Sequence, residues 1–289
     1  MQFNDEALQD VWDVLNRTVV LDALSPLQDA LAGKSKYKDP RPPFAIGFDT
    51  NALFRVALGH TGTEVIDYLR VKHNGPVVIP GQTLQEVWNN ELVGLRPQAK
   101  NLSEKLDELL TMSKKNEYEL GDTGHAVTSA ITALMDEHGK VFDGSAHNPF
   151  LNLLDVLTDV GTPAFVPRHE FAKLGHVRHS SKTPPGYQDS SLGDFFVWCD
   201  FLYGVRLATE PYNTVVFVTD DRKKDWSRRG IPHPLLSAEV SSLVKKHLFL
   251  WTRDDLNEYL KNGWIPQADA EQGSADADRP TGQDVGDVF

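Results

Sequence analysis

The sequence predicts an α/β fold in which a parallel sheet is wound by helices on both faces. Two observations carry this expectation. Short β-branched or aromatic runs alternate with longer amphipathic stretches, and three of the short runs stop at or just before an acid. Such alternation implies parallel strands joined by helical crossovers. In sheets of this kind function gathers at the carboxyl ends of the strands.

The elements follow in order. Residues 5–32 have the pattern of one or two amphipathic helices, with Leu8, Val11, Trp12 and Leu15 at helical spacing. A polar, proline-containing connector runs from Lys34 to Pro43. Phe44-Ala45-Ile46-Gly47-Phe48 is a buried strand ending at Asp49, and helical patterns cover 51–73. Pro76-Val77-Val78-Ile79-Pro80 is a second strand, bounded by prolines. Gln82–Leu95 is helical, with Leu84, Val87, Trp88 and Leu92 along one face. Residues 98–180 show no convincing strand pattern, and Gly121, Gly139, Gly144, Pro149 and Gly161 divide them into several helices. A Pro/Gly/Ser-rich loop spans Ser180–Ser191, and Gly193–Leu207 is a strongly apolar helix. Thr214–Thr219 is the clearest strand and ends at Asp220-Asp221. Leu248–Trp251 is a further strand, with a helix after it to about Lys261. There is no internal repeat. The expected organisation is N-terminal helices and linker over 1–43, an α/β domain over 44–265 with a helical insertion at 98–180, and an acidic, disordered tail over 266–289.

Composition narrows the classes. A chain of 289 residues suits one large domain, or one with a sizeable insertion. There is no apolar run of about 18 residues, so no membrane helix is expected, and the N-terminus lacks the pattern of a signal peptide. A cytoplasmic protein is the expectation. The single cysteine, Cys199, excludes an intramolecular disulfide and a cysteine-based zinc site, and its apolar surroundings point to the core. The net charge of −12 argues at first against nucleic acid. Much of that charge, however, lies in the tail (Asp269, Glu271, Asp276, Asp278, Asp284 and Asp287 against Arg279), while the cationic residues are clustered.

The chemistry lies in the acids. Asp49 closes the first strand, Glu86 sits in the helix after the second, Asp220-Asp221 close the late strand, and Asp194 opens an apolar helix, where the helix dipole favours a negative group. Each alone has an ordinary role as an N-cap, a turn residue or a solvated charge. Parallel topology brings them together at one edge of the sheet, where like charges raise one another's pKa. A divalent metal resolves the conflict. Mg²⁺ and Mn²⁺ prefer oxygen ligands and retain waters, one of which can attack a phosphodiester.

The motifs around these acids resemble a known family. Phe48-Asp49-Thr50-Asn51 before a helix, then Pro80-Gly81-Gln82-Thr83-Leu84-Gln85-Glu86-Val87-Trp88, look like the opening of a PIN domain. More specific is the ordered set Lys182-Thr183-Pro184-Pro185-Gly186-Tyr187-Gln188-Asp189, Gly193-Asp194-Phe195-Phe196-Val197-Trp198 and Val218-Thr219-Asp220-Asp221-Arg222-Lys223-Lys224-Asp225-Trp226. It is similar to bacterial PIN-like proteins with a helical insertion, over about Phe44–Leu260. The resemblance implies a three-layer α/β/α PIN-like nuclease fold with Asp49, Glu86, Asp194 and one of Asp220 or Asp221 around one or two Mg²⁺ or Mn²⁺ ions. The usual pattern sets the last acid two residues after the strand-ending Thr, which favours Asp221. The long separation of Glu86 from Asp194 departs from a minimal PIN domain, and the 98–180 stretch is expected to shape the substrate entrance.

Asn51 or Thr50 would orient a ligand or water. Lys182, Arg222, Lys223 and Lys224 are candidate phosphate contacts, within basic runs that also include Arg168, Lys173, His176, Arg178, His179, Arg228 and Arg229. Trp198 is expected in the core; Trp226 is open between core and base stacking. The expected substrate is nucleic acid, RNA ahead of DNA, with a second copy of the chain or an inhibitor protein as further partners and antiviral defence or RNA processing as settings. Two rivals stand beside this. Phosphotransfer through an aspartyl intermediate wants an Asp where this chain has Asn51. A catalytically inactive PIN-like module that binds nucleic acid or protein is disfavoured by the filled acidic positions.

Overall fold

The computed structural model describes residues 2–33, 40–94, 97–142 and 147–262, so part of the 34–43 connector and the acidic tail from 266 lie outside the described residues. The elements run α1 (Glu6–Leu15), α2 (Leu24–Leu31), β1 (Phe44–Phe48), α3 (Thr50–Leu58), α4 (Gly62–Asp67), a π-helical turn (Tyr68–Lys72), β2 (Val77–Pro80) and α5 (Gly81–Gly94). They continue with α6 (Pro97–Lys115), α7 (Glu117–Phe142), α8 (His147–Val160), β3 (Gly161–Ala164), α9 (Arg168–Ser180) and α10 (Gly193–Leu207). The chain closes with β4 (Thr214–Val218), β5 (Ser227–Arg228), β6 (Ile231–Pro232), α11 (Pro234–Val244), β7 (His247–Trp251) and α12 (Arg253–Asn262).

Five strands form one parallel sheet in the order β3-β2-β1-β4-β7. Its three inner strands, β2, β1 and β4, are buried along their whole length, as strands inside parallel sheets are. Ala45, Val215 and Phe217 join a core with α1, α9, α10 and α11, while Phe44, Ile46, Phe48, Val216 and Val218 join another with α3, α4, α8 and α12. The fold is therefore helix–sheet–helix, a mixed α/β architecture consistent with a PIN-like α/β/α fold. Close packing reaches the backbone at Gly47, where a Cβ would stand 2.5 Å from the Phe201 ring. From β1 the chain winds outward through β2 to β3, then returns to β4 and β7 on the other side. The strand order thus reverses at β1/β4, where open α/β sheets form their crevice.

The structure corrects two expectations. Residues 98–180 contribute β3, which pairs with β2 from Val77↔Gly161 to Pro80↔Ala164. Gly-Thr-Pro-Ala offers neither alternation nor a β-branched run, and its proline is tolerated because the strand lies at an edge. Trp88 is 79% exposed rather than on a buried face. Helix α5 instead turns Thr83 inward, whose hydroxyl donates to the Phe48 carbonyl at 3.2 Å.

The N-terminal helix α1 belongs to the core. Asp5 caps it by accepting from Leu8 N–H at 3.0 Å, and Leu8, Val11 and Leu15 pack into the α10 side. Tyr203 donates to Asp5 at 2.6 Å and Arg206 to Asp10 at 2.8 Å, tying the helix to α10. Among the described residues no helix is long and apolar enough to cross a membrane.

Candidate functional site

The acids gather where the strand order reverses. Asp49 leaves β1 in an extended conformation and caps α3, accepting from Thr50 N–H at 2.7 Å. The Thr50 hydroxyl donates at 2.8 Å to Glu86, which also receives Gln82 Nε2 at 2.9 Å. One residue thus fixes carboxylates from two strand ends. Thr219, just past β4, ties the Asp49 carboxylate to the Asp221 backbone on the other side. Its hydroxyl donates to Asp49 Oδ2 at 3.2 Å and receives Asp221 N–H at 3.1 Å. Gly193 brings α10 in from above: a Cβ there would lie 2.8 Å from Glu86 Oε1, so its bare backbone lets Asp194 approach.

Burial and mutual repulsion mark the centre electrostatically. Asp49 is pushed up to about 6, first by burial and then by the neighbouring charges of Glu86 and Asp221, against the Thr50 and Thr219 hydrogen bonds. Asp194 is pushed up to about 7 by burial, by a hydrogen bond to Asp189 and by the charge of Asp49, although Trp226 Nε1 donates to it at 3.0 Å. Such perturbation is what an assembled carboxylate site shows when charge is under-compensated.

One oxygen each of Asp189, Asp194 and Asp221 lies within 4.8 Å of the others. Asp189 stood in a motif quoted from the sequence without a role; its position in a Pro/Gly/Ser-rich loop gave no strand or helix to place it. Its loop is held from below. The fully buried Asp225 accepts from Gly186 N–H at 3.0 Å and from Gln188 Nε2 at 2.9 Å. Burial would raise Asp189, but the hydrogen bond from Lys223 overrides it and holds the carboxyl below its usual range.

Asp220 points elsewhere. Its oxygens meet Arg55 at 3.2 Å and Arg253 N–H at 3.1 Å, so this carboxylate joins α3 to the start of α12, while Asp221 faces the other acids. Asn51, Lys182, Arg222 and Lys224 are exposed, and Lys223 lies among the acids. Two of the basic residues are bound internally: Arg168 is bidentate to buried Asp200, and buried Arg178 pairs with Glu239 at 2.8 Å. Trp226 is buried, 1% exposed, and stacks on Phe217 at 5.4 Å, which removes it from base stacking; Trp198 is core as expected. Cys199 is buried too, and burial pushes its thiol up.

The donor set suits a hard divalent cation. Every candidate ligand is a carboxylate oxygen, and the spread of the Asp189–Asp194–Asp221 oxygens matches ligands roughly 2.0–2.6 Å from a common ion. Residues 125–236 match the family model described as a PIN like domain. The matched segment contains Asp189, Asp194, Asp221 and Lys223 and leaves out Asp49 and Glu86. No curated protein and no solved structure matches the chain.

Proposed function

We propose that this PIN-like domain is a metal-dependent nuclease that hydrolyses phosphodiester bonds of nucleic acid, RNA in preference to DNA. The observation that carries the reading is the convergence of Asp49, Glu86, Asp194 and Asp221 at the reversal of strand order, with Asp49 and Asp194 both shifted toward neutral pH. These four would hold one or two Mg²⁺ or Mn²⁺ ions, with Asp189 as a further ligand. The ion would supply a water of lowered pKa and polarise the scissile phosphate.

The chain's own residues do the rest. Thr50 and Thr219 hold the carboxylates of Asp49 and Glu86, and Lys223 holds that of Asp221, so the oxygens are set before substrate arrives. Before a cation binds, Asp49 and Asp194 hold protons up to about pH 6 and 7, and binding the ion would release them. The exposed Arg222, Lys224 and Lys182 would grip backbone phosphates, with Asn51 at the rim of the site.

A second reading, a PIN-like module that binds without cutting, draws on one observation: Lys223 already neutralises part of the cluster. The test is cleavage of labelled single-stranded RNA and DNA with Mg²⁺, Mn²⁺ or EDTA, beside Asp49→Asn and Asp194→Asn. The nuclease reading requires metal-dependent cutting that both substitutions abolish. No cutting of either substrate with either metal would leave the binding module.

A further inference from the structure

Lys223 occupies the centre of the Asp189–Asp194–Asp221 group. Its ammonium lies 2.6 and 2.7 Å from the two oxygens of Asp189, 2.8 Å from Asp221 Oδ2 and 3.8 Å from Asp194 Oδ2. Its backbone N–H also donates to Asp221 Oδ1 at 2.8 Å, so one residue holds both oxygens of that carboxylate. An ammonium is a compact charge with three donors on a flexible stem, a match for three converging carboxylates. The lysine is fixed in sequence two residues from Asp221, and its side chain remains 37% exposed, at the open side of the group.

We propose that Lys223 is a tethered counter-ion that keeps the Asp189–Asp194–Asp221 group assembled and is displaced when a divalent cation binds there. The proposal rests on the metal-dependent reading above. Steric and charge arguments both lead to it. A cation bonded to these oxygens at roughly 2.0–2.2 Å would take the volume in which the ammonium sits, so the two exclude each other. One positive charge against three carboxylates under-compensates them, whereas a divalent ion supplies more charge at shorter range. The displaced head, still tied to residue 223, remains at the mouth of the site, where a phosphate oxygen is its chemical partner. Loading the metal would thereby release a phosphate-binding cation at the place of use.

The test is calorimetric titration of Mn²⁺ alone into wild-type protein and Lys223→Met. Removing an internal competitor should tighten Mn²⁺ binding by about tenfold or more. The variant without metal should melt at a lower temperature than wild type, and saturating Mn²⁺ should restore it. A second measurement needs no variant: acetylation of wild-type lysines by acetic anhydride, read by mass spectrometry. Lys223 should label several-fold faster with saturating Mn²⁺, while exposed Lys182 and Lys224 keep their rates. Equal or weaker Mn²⁺ affinity in the variant, or Lys223 labelling unmoved while Mn²⁺ binds, overturns the counter-ion proposal and leaves the nuclease reading standing. Mn²⁺ binding to neither protein overturns both.

Discussion

Two groups of carboxylates in the molecule are compensated differently. Beneath the sheet's α10 face, Asp200 and Glu239 each have an arginine of their own. Asp200 accepts both guanidinium nitrogens of Arg168 as well as the N–H groups of Gln82 and Val166, and Glu239 takes Arg178 and the Trp198 indole. At the ends of β1 and β4 the balance is different. Asp49, Glu86, Asp189, Asp194 and Asp221 converge with Lys223 as the cation among them. The first arrangement is compensated and holds elements in place. The second is under-compensated: Asp49 and Asp194 are shifted upward, first by burial and then by the charges around them, while the hydrogen bond from Lys223 holds Asp189 low. The difference separates carboxylates that hold elements in place from those whose charge the fold leaves under-compensated.

The largest effect should come from breaking the compensated side. Arg178→Met leaves Glu239 charged and buried and removes the donors to the Leu15 and Pro184 carbonyls, so denaturant unfolding should show a loss of about 3–5 kcal/mol. On the other side, Asp221→Asn should lower the cleavage rate by about a thousandfold, on the order of 4 kcal/mol of transition-state stabilisation, with folding intact by circular dichroism.

A third change turns the comparison into a pH dependence. The folded protein holds the Asp49 proton up to about 6, above the usual carboxylate value. Its favourable contribution is therefore complete below the unfolded value and is lost as pH rises through about 6. Asn retains the N-cap. In EDTA at pH 8, Asp49→Asn should be more stable than wild type by up to about 3 kcal/mol, a gain that vanishes near pH 4. Thermal melts across pH check this; a gain that persists unchanged at pH 4 would show that the buried Asp49 charge is not the cause.

Smaller effects sharpen the boundary. Asp225→Ala frees the loop that presents Asp189 and should cut activity by about 10–100-fold, through weaker Mn²⁺ binding in calorimetry. Asp220→Asn loosens a contact with the exposed guanidinium of Arg55 and leaves an oxygen to accept the Arg253 N–H, so it should cost no more than about 1 kcal/mol, with activity close to wild type. The contrast between Asp220→Asn and Asp221→Asn measures directly which neighbour belongs to the site.

The sequence by itself determined the α/β class, because β-branched runs and apolar periodicity record which faces are buried. It also located β1, β2, β4, β7 and α10 to within a residue or two, and marked Asp49, Glu86, Asp194 and the Asp220-Asp221 pair through their places after strands or at a helix start. Only the tertiary structure placed β3, whose Gly-Thr-Pro-Ala carries no strand pattern and is recruited by pairing with β2. The same holds for Trp226 and Arg178. Their residue types suit nucleic-acid contact equally well, and burial against Asp194 and Glu239 is what decides otherwise. Asp189 and Lys223 lie 34 residues apart, in a loop and past a strand end. Their meeting depends on the Asp225 anchor and the β1/β4 reversal, long-range geometry that no local spacing encodes.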